Sequence, residues 1–161
     1  MKHVLIAGFA GAFLASTTLA DHHGEAAMTE AEIVAQGIYA AFATGDVPAF
    51  AGYLHPEVVW NEAENYIYAD NNPYIGPDAV LEGVIGRTVA EWDSFTATPE
   101  HMISNGNEVA VMGRYTGTNL ATGEYMDLQF VHVMTVENGQ VTSFQQYTDT
   151  LQAFNAATPG D

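Results

Sequence analysis

Glu62 is the residue of this chain best suited to acid–base work. It closes the stretch Leu54-His55-Pro56-Glu57-Val58-Val59-Trp60-Asn61-Glu62, which reads as a strand. Strand side chains alternate with period 2, so Val58, Trp60 and Glu62 share one face. That face sets a carboxylate beside an indole on a surface expected to look inward. Burying a lone charge is costly, so an inward carboxylate is paired, hydrated or functional. A second candidate lies downstream, where Met126, Leu128, Phe130, His132 and Met134 share a strand face that is apolar except for His132. Proton abstraction next to a carbonyl needs a carboxylate base in a partly apolar site. It also needs a hydrogen-bond donor where the enolate oxygen develops. Glu62 and His132 fit these roles. Desolvation would raise the pKa of the base, and a carboxylate neighbour would tend to hold His132 protonated. The plainer readings stay open beside this one: a strand-end carboxylate facing water, and a core histidine bonded to a neighbour.

Three further groups belong to the same question. Met112, Arg114 and Thr116 share a strand face, and Phe144, Gln146 and Thr148 share another. Arg114 is either the structural partner of an acid or a ligand clamp. Residues 63–74 form a long polar and aromatic loop with Tyr66, Tyr68 and Tyr74, and turn formers gather at its end. Long structured loops in compact domains are often lids. The alternative is a surface loop whose tyrosines pack locally.

The elements that must position these groups are legible. Thr29-Glu30-Ala31-Glu32 has the capping-box form, and Ile33, Val34, Ile38, Ala41 and Phe42 recur at helical spacing up to Gly45. Asp46 caps a second, shorter helix that carries Pro48 in its first turn, buries Val47, Phe50 and Leu54, and stops at Pro56. Gly76-Pro77 opens a third, with Val80, Leu81, Val84, Ile85 and Val89 as its stripe, running to Trp92. Strands follow over residues 95–104, 109–116, 126–136 and 141–149, with Asn105-Gly106 and Asn138-Gly139 as hairpin turns. Helices first and antiparallel strands after describe a segregated α+β fold. Three helices on a curved sheet of four to five strands can enclose a cavity between the layers.

Composition narrows the partners. Twenty acidic residues stand against three Lys plus Arg, for a net charge of −17. Nucleic acid and anionic membranes both demand positive charge, so neither is an expected partner. The chain has no cysteine, which excludes disulfides, thiolate catalysis and cysteine metal sites. No metal site and no cofactor is called for within the domain. At the N-terminus, Met1-Lys2-His3 precedes an apolar run from Val4 to Ala15 and small residues up to Ala20. This is the secretory signal pattern, with cleavage expected after Ala20. It predicts a secreted or periplasmic protein, with residues 21–28 as a flexible leader, 29–155 as the domain and 156–161 as a flexible tail. Cleavage there would expose Asp21-His22-His23, which is either an incidental polar leader or a copper(II) or nickel(II) site built on the free amine.

From about Ile33 to Phe154 the chain resembles the SnoaL-like branch of the nuclear transport factor 2-like superfamily. The resemblance rests on residues 39–46 (YAAFATGD), 55–60 (HPEVVW), 74–80 (YIGPDAV), and 138–141 (NGQV) leading into 146–149 (QYTD). It implies a cone of three helices around a curved, mostly antiparallel sheet with an internal pocket, often as a homodimer. Relatives include ketosteroid isomerases, polyketide cyclases, limonene epoxide hydrolases and non-catalytic binding domains, so the fold does not settle the function. Aligned with ketosteroid isomerase, Glu62 takes the place of the aspartate base and His132 that of the protonated aspartic-acid donor. Ile38 takes the place of the tyrosine donor, and Tyr39, one position off, is expected to point elsewhere. Against limonene epoxide hydrolase, Arg114 matches the central arginine, Thr116 and Gln146 replace the two aspartates, and Trp60 matches a pocket tyrosine. The expectation is an exported SnoaL-like domain that binds a small hydrophobic molecule and acts by cofactor-free proton transfer. Glu62 would be the base and His132 the donor. Trp60, Arg114, Gln146 and Phe130 would line the ligand, and Tyr66, Tyr68, Tyr74 and Trp92 would stand near the entrance. The alternatives are a non-catalytic binding domain and a dimerisation module.

Overall fold

The computed structural model describes residues 27–159. The expected signal peptide and the Asp21-His22-His23 terminus lie outside the described residues. Helix α1 (Glu30–Thr44) starts at a complete capping box, with Thr29 and Glu32 satisfying each other's backbone N–H, and ends at Gly45 in the left-handed conformation. Its buried residues are Ala31, Val34, Ala35, Ile38, Tyr39 and Ala41. Ile33, expected on the stripe, is exposed. The short helix α2 (Val47–Gly52), capped by Asp46, buries only Phe50. Leu54 already belongs to strand β1 (Leu54–Asn61), and Pro56 lies within that strand rather than ending the helix.

After the loop and the two-residue strand β2 (Tyr74–Ile75), the third expected helix is broken in character. It runs as α3 (Pro77–Val80), a π-helical turn (Leu81–Ile85) and α4 (Gly86–Glu91). Tyr74 packs so closely on Gly83, inside the π-turn, that a Cβ there would stand 2.1 Å from its ring. Val80 and Val84 are buried, whereas Val89 is exposed.

Four long strands complete the sheet: β3 (Trp92–Asn105), β4 (Glu108–Asn119), β5 (Tyr125–Glu137) and β6 (Gln140–Thr148). The strand order is β2-β1-β6-β5-β4-β3. All neighbours are antiparallel except β1 and β6, which run parallel with Trp60 opposite Phe144. The α+β architecture expected from the sequence is therefore observed, with six strands. A final helix, α5 (Thr150–Ala157), was not foreseen; Asp149 caps it instead of ending a strand. Among the described residues, no helix is long and apolar enough to cross a membrane.

The helices cover one face of the sheet, and the core lies between the layers. The inward face follows from strand phase: Val58 and Trp60 on β1, Val109, Val111 and Tyr115 on β4, Met126 to Met134 at even positions on β5, and Phe144 and Gln146 on β6.

Candidate functional site

Glu62 follows the last residue of β1 and keeps its phase, so it is buried on the same face as Val58 and Trp60. The two-residue spacing lets the Trp60 indole N–H donate to Glu62 Oε1 at 2.6 Å. Trp60 is held flat by Phe144, whose ring stacks on it at 3.5 Å. Asn72 grips the backbone of Glu62 on both sides. Its Oδ1 accepts from Glu62 N at 3.0 Å, and its Nδ2 donates to Glu62 O at 2.7 Å. The other carboxylate oxygen, Oε2, is buried and has no hydrogen-bond partner. Burial pushes the Glu62 carboxyl up to about 7, against the lowering effect of the bonded Trp60 indole N–H and of the nearby Gln146 amide, which is turned to Tyr115 and makes no hydrogen bond to Oε2.

Across the cavity, His132 lies between two phenols. Tyr39 meets Nδ1 at 2.7 Å, and Tyr115 meets Nε2 in a very short contact. The expected carboxylate partner does not touch the ring, so nothing compensates the cost of a buried cation. Burial lowers the His132 pKa to about 3, and the ring is neutral. This reverses the expectation that Glu62 holds it protonated.

The neighbours of His132 constrain where protons sit. Ala63 N donates to Gln146 Oε1 at 3.2 Å, which turns Gln146 Nε2 toward the Tyr115 hydroxyl at 3.1 Å. Tyr115 oxygen thus receives an N–H. If Tyr115 donates to Nε2, then Nδ1–H donates to Tyr39, and the Tyr39 proton has no protein acceptor. In the other tautomer Tyr39 donates to Nδ1, Nε2–H donates to Tyr115, and the Tyr115 proton is left over. Either way, one phenolic O–H remains for something else in the cavity. Both phenols are pushed above their ordinary range by burial, so both stay protonated.

These groups line one apolar cavity of about 60 Å³, together with Ile38, Phe42, Phe50, Tyr66, Val84, Ile85, Thr88, Phe95, Ala97, Met134 and Phe144. Of the site residues read from the sequence, Glu62, His132, Trp60 and Gln146 are brought together here. Arg114, Phe130, Tyr74 and Trp92 are not. Arg114 points to the opposite face of β4, where Nε pairs with Asp127 at 2.6 Å and the side chain is 42% exposed. Of the two roles open to Arg114, the acid partner is the one observed, and the inward face of β4 carries glycines instead. At Gly113 a Cβ would come within 2.5 Å of the Phe130 ring. Phe130 fills that space and packs behind Tyr115 and His132 at 4.5 and 4.2 Å. Tyr74 and Trp92 belong to the anchoring of the loop. Tyr74 donates to Tyr68 O at 2.7 Å, and the Trp92 indole donates to Tyr68 Oη at 2.9 Å. Arg87 completes the anchor, 2.8 Å from Asp70 and 4.5 Å above the Tyr68 ring. The loop tyrosines at 68 and 74 are thus locally packed, and only Tyr66 reaches the cavity.

Tyr39 and Tyr115 are the residues the sequence reading missed. Tyr39 was expected to point elsewhere because it lies one position beyond Ile38. A helix buries a stripe wide enough to take both: from Ala31, they stand at i+7 and i+8. Tyr115 could have been found by noticing that it alternates with Val109 and Val111 rather than with Arg114. Among the described residues, no cluster of His, Asp or Glu is placed to hold a metal ion.

Comparison with known proteins agrees with this geometry. A 1.60 Å crystal structure of an NTF2-like protein from Burkholderia thailandensis superposes with a TM-score of 0.76 at 30% identity, covering 82% of this chain and 99% of that one. A candidate polyketide cyclase from Pseudomonas putida gives 0.69 at 18% identity, over 81% and 99% of the two chains. TerC, co-crystallised with polyporic acid, gives 0.72 at 23%, over 80% and 98%. No curated protein matches the chain in sequence. The model of the SnoaL-like domain matches residues 35–144, a span that runs from α1 to β6 and includes Tyr39, Glu62, Tyr115 and His132. With the cone-shaped architecture and its NTF2-like neighbours, this match makes the chain a member of the SnoaL-like domain family.

Proposed function

We propose that this protein binds a small, neutral, apolar carbonyl compound and moves a proton next to the carbonyl. The observation that carries the reading is the pairing of an unpartnered acceptor with a spare donor in one cavity. Glu62 Oε2 has no partner, and the Tyr39–His132–Tyr115 chain holds one phenolic proton more than it can use. A ligand that carries an acidic C–H beside a C=O satisfies both. Glu62 takes the proton, and the phenolic O–H donates to the oxygen that gains charge. His132 stays neutral; its part is to hold the two hydroxyls and fix which one donates. Arg87 and Arg114 line neither this cavity nor its approach, so a carboxylate or phosphate ligand would enter without a counter-ion. That a candidate polyketide cyclase shares the fold supports an oxygenated cyclic substrate. The apolar run near the N-terminus supports export before function.

The test is deuterium uptake at the α-carbon of 2-tetralone in D2O, followed by NMR. The wild-type protein should accelerate it and Glu62→Gln should not. Tight binding of the ketone with no exchange above the buffer rate would leave only the binding-domain alternative.

A further inference from the structure

The cavity around Glu62 is small for a ligand site. At about 60 Å³ it falls well below the roughly 300–1,000 Å³ of ordinary small-molecule sites. A second cleft of about 290 Å³ lies against it, and Phe42, Phe50, Ile85, Thr88 and Phe95 belong to the walls of both. The cleft continues outward past Val47 and Val89 to the rim at Asp46 and Ser94.

Both sides of the shared wall are built from irregular backbone. On one side, the π-helical turn Leu81–Ile85 resets the helix phase just where Ile85 and Thr88 meet the two cavities. On the other, β3 loses register with β4 between Asp93 and Thr96, and Ser94 has φ +53°. That bulge aims Phe95 inward, at 6.0 Å edge-on to Phe42 and 5.3 Å from Tyr115. Strained residues, β-bulges and π-turns concentrate where a protein re-aims side chains at a site.

We infer that the outer cleft is a second subsite, and that the ligand is a two-part molecule. Its compact carbonyl end sits at Glu62, and an uncharged apolar tail passes between Phe42 and Phe95 to lie along Ile85, Val47 and Val89. The inference rests on the carbonyl reading above only for which end points inward. An anionic tail is excluded, because among the described residues lining the cleft the charged group is the Asp46 carboxylate, which also caps α2 through Ala49 N at 3.0 Å.

The experiment is a titration series with phenol, 4-ethyl-, 4-butyl- and 4-hexylphenol, read by protein NMR shifts. Phenol offers one oxygen that can both donate to Glu62 and accept from a tyrosine. In the wild type, affinity should rise about fourfold for each methylene that becomes buried in the cleft. Val47→Asp and Val89→Asp lie at exposed positions and should leave the affinity of phenol itself unchanged, while the gain per methylene falls below about twofold. Glu62→Gln should shift the whole series by a common factor and keep the gain. A series that is flat in the wild type, or that keeps its full slope in both valine variants, overturns the outer subsite. A series that keeps its slope yet ignores Glu62→Gln supports the subsite and overturns the carbonyl reading instead. Absence of binding by every phenol overturns both.

Discussion

Glu62→Gln should make the protein more stable above pH 7 while abolishing its proton transfer. The Glu62 pKa stands near 7 in the folded protein against 4.5 in an exposed carboxyl. Between those values the folded state holds a proton that the unfolded state has released. Stability therefore falls as pH rises from about 4.5 to about 7, and the full penalty is in place above that. Two and a half pH units correspond to about 3 kcal/mol for a fully buried group. Gln keeps the acceptor for the Trp60 indole at Oε1 and does not ionise, so the penalty disappears. On the proposed reading, the same ionisation that destabilises the fold would create the base. Exchange of the ketone α-proton should rise tenfold per pH unit below about 7 and level off above it.

Two other contributions must be separated from this one. The net charge of −17 makes general repulsion grow with pH. His132 acts in the opposite direction. Its folded pKa lies below its ordinary value, so stability falls as pH drops through 6.5 toward about 3. Both are common to wild type and variant, so the difference between them isolates Glu62. The assay is urea denaturation of both proteins at pH 5, 6, 7 and 8. The variant's advantage should be small at pH 5 and approach about 3 kcal/mol at pH 8. A difference that does not change with pH would refute the argument, because Glu62 would then not be the group that titrates. A neutral cavity base would fall with it, and so would the predicted activity profile.

Tyr39→Phe should lower ketone exchange about 100-fold, the scale of losing one donor to a developing oxyanion; an unchanged rate would move that role to Tyr115. Asn72→Ala should cost about 1–2 kcal/mol by removing both hydrogen bonds to the Glu62 backbone, and should lower kcat more than it raises KM. Arg114→Ala breaks a half-exposed ion pair with Asp127, so denaturation should show a loss below about 1 kcal/mol and NMR titration no change in ketone binding.

The scaffold was legible because it is written in local rules. The Thr29–Glu32 capping box, the Asn-Gly turns and the alternation along β5 each fix an element with no help from the rest of the chain. Glu62 and Trp60 were legible for the same reason, since two residues on one strand share a face whatever the fold. Two kinds of error follow from what local rules omit. One is phase. On β4 the inward positions at 113 and 117 are glycines, so alternation does not mark the inward face, and Arg114 stays open between acid partner and ligand clamp until its pairing with Asp127 decides it. The other is the protonation state, which depends on partners far apart in sequence. Glu62 and His132 do share a cavity, yet the ring nitrogens of His132 are taken by Tyr39, 93 residues away, and Tyr115, 17 residues away.

That difference changes the chemistry as well as the inventory. A protonated histidine facing Glu62 would have held the carboxylate ionised and weak, with a pKa below the ordinary range. A neutral histidine between two phenols leaves the carboxyl with nothing but burial and two N–H groups to set its pKa. Burial wins, and the base becomes strong at the cost of fold stability. On the proposed reading, the neutral donor chain is what would make Glu62 a useful base. It follows that restoring a cation near the cavity should suppress activity rather than enhance it. Thr88→Lys places an ammonium on the shared wall of the two cavities, where Thr88 now donates only to Val84 O. It should shift the midpoint of the pH–rate profile to lower pH and reduce the plateau rate. A midpoint that stays near 7 with an unchanged plateau would mean that the basicity of Glu62 is not what limits the reaction.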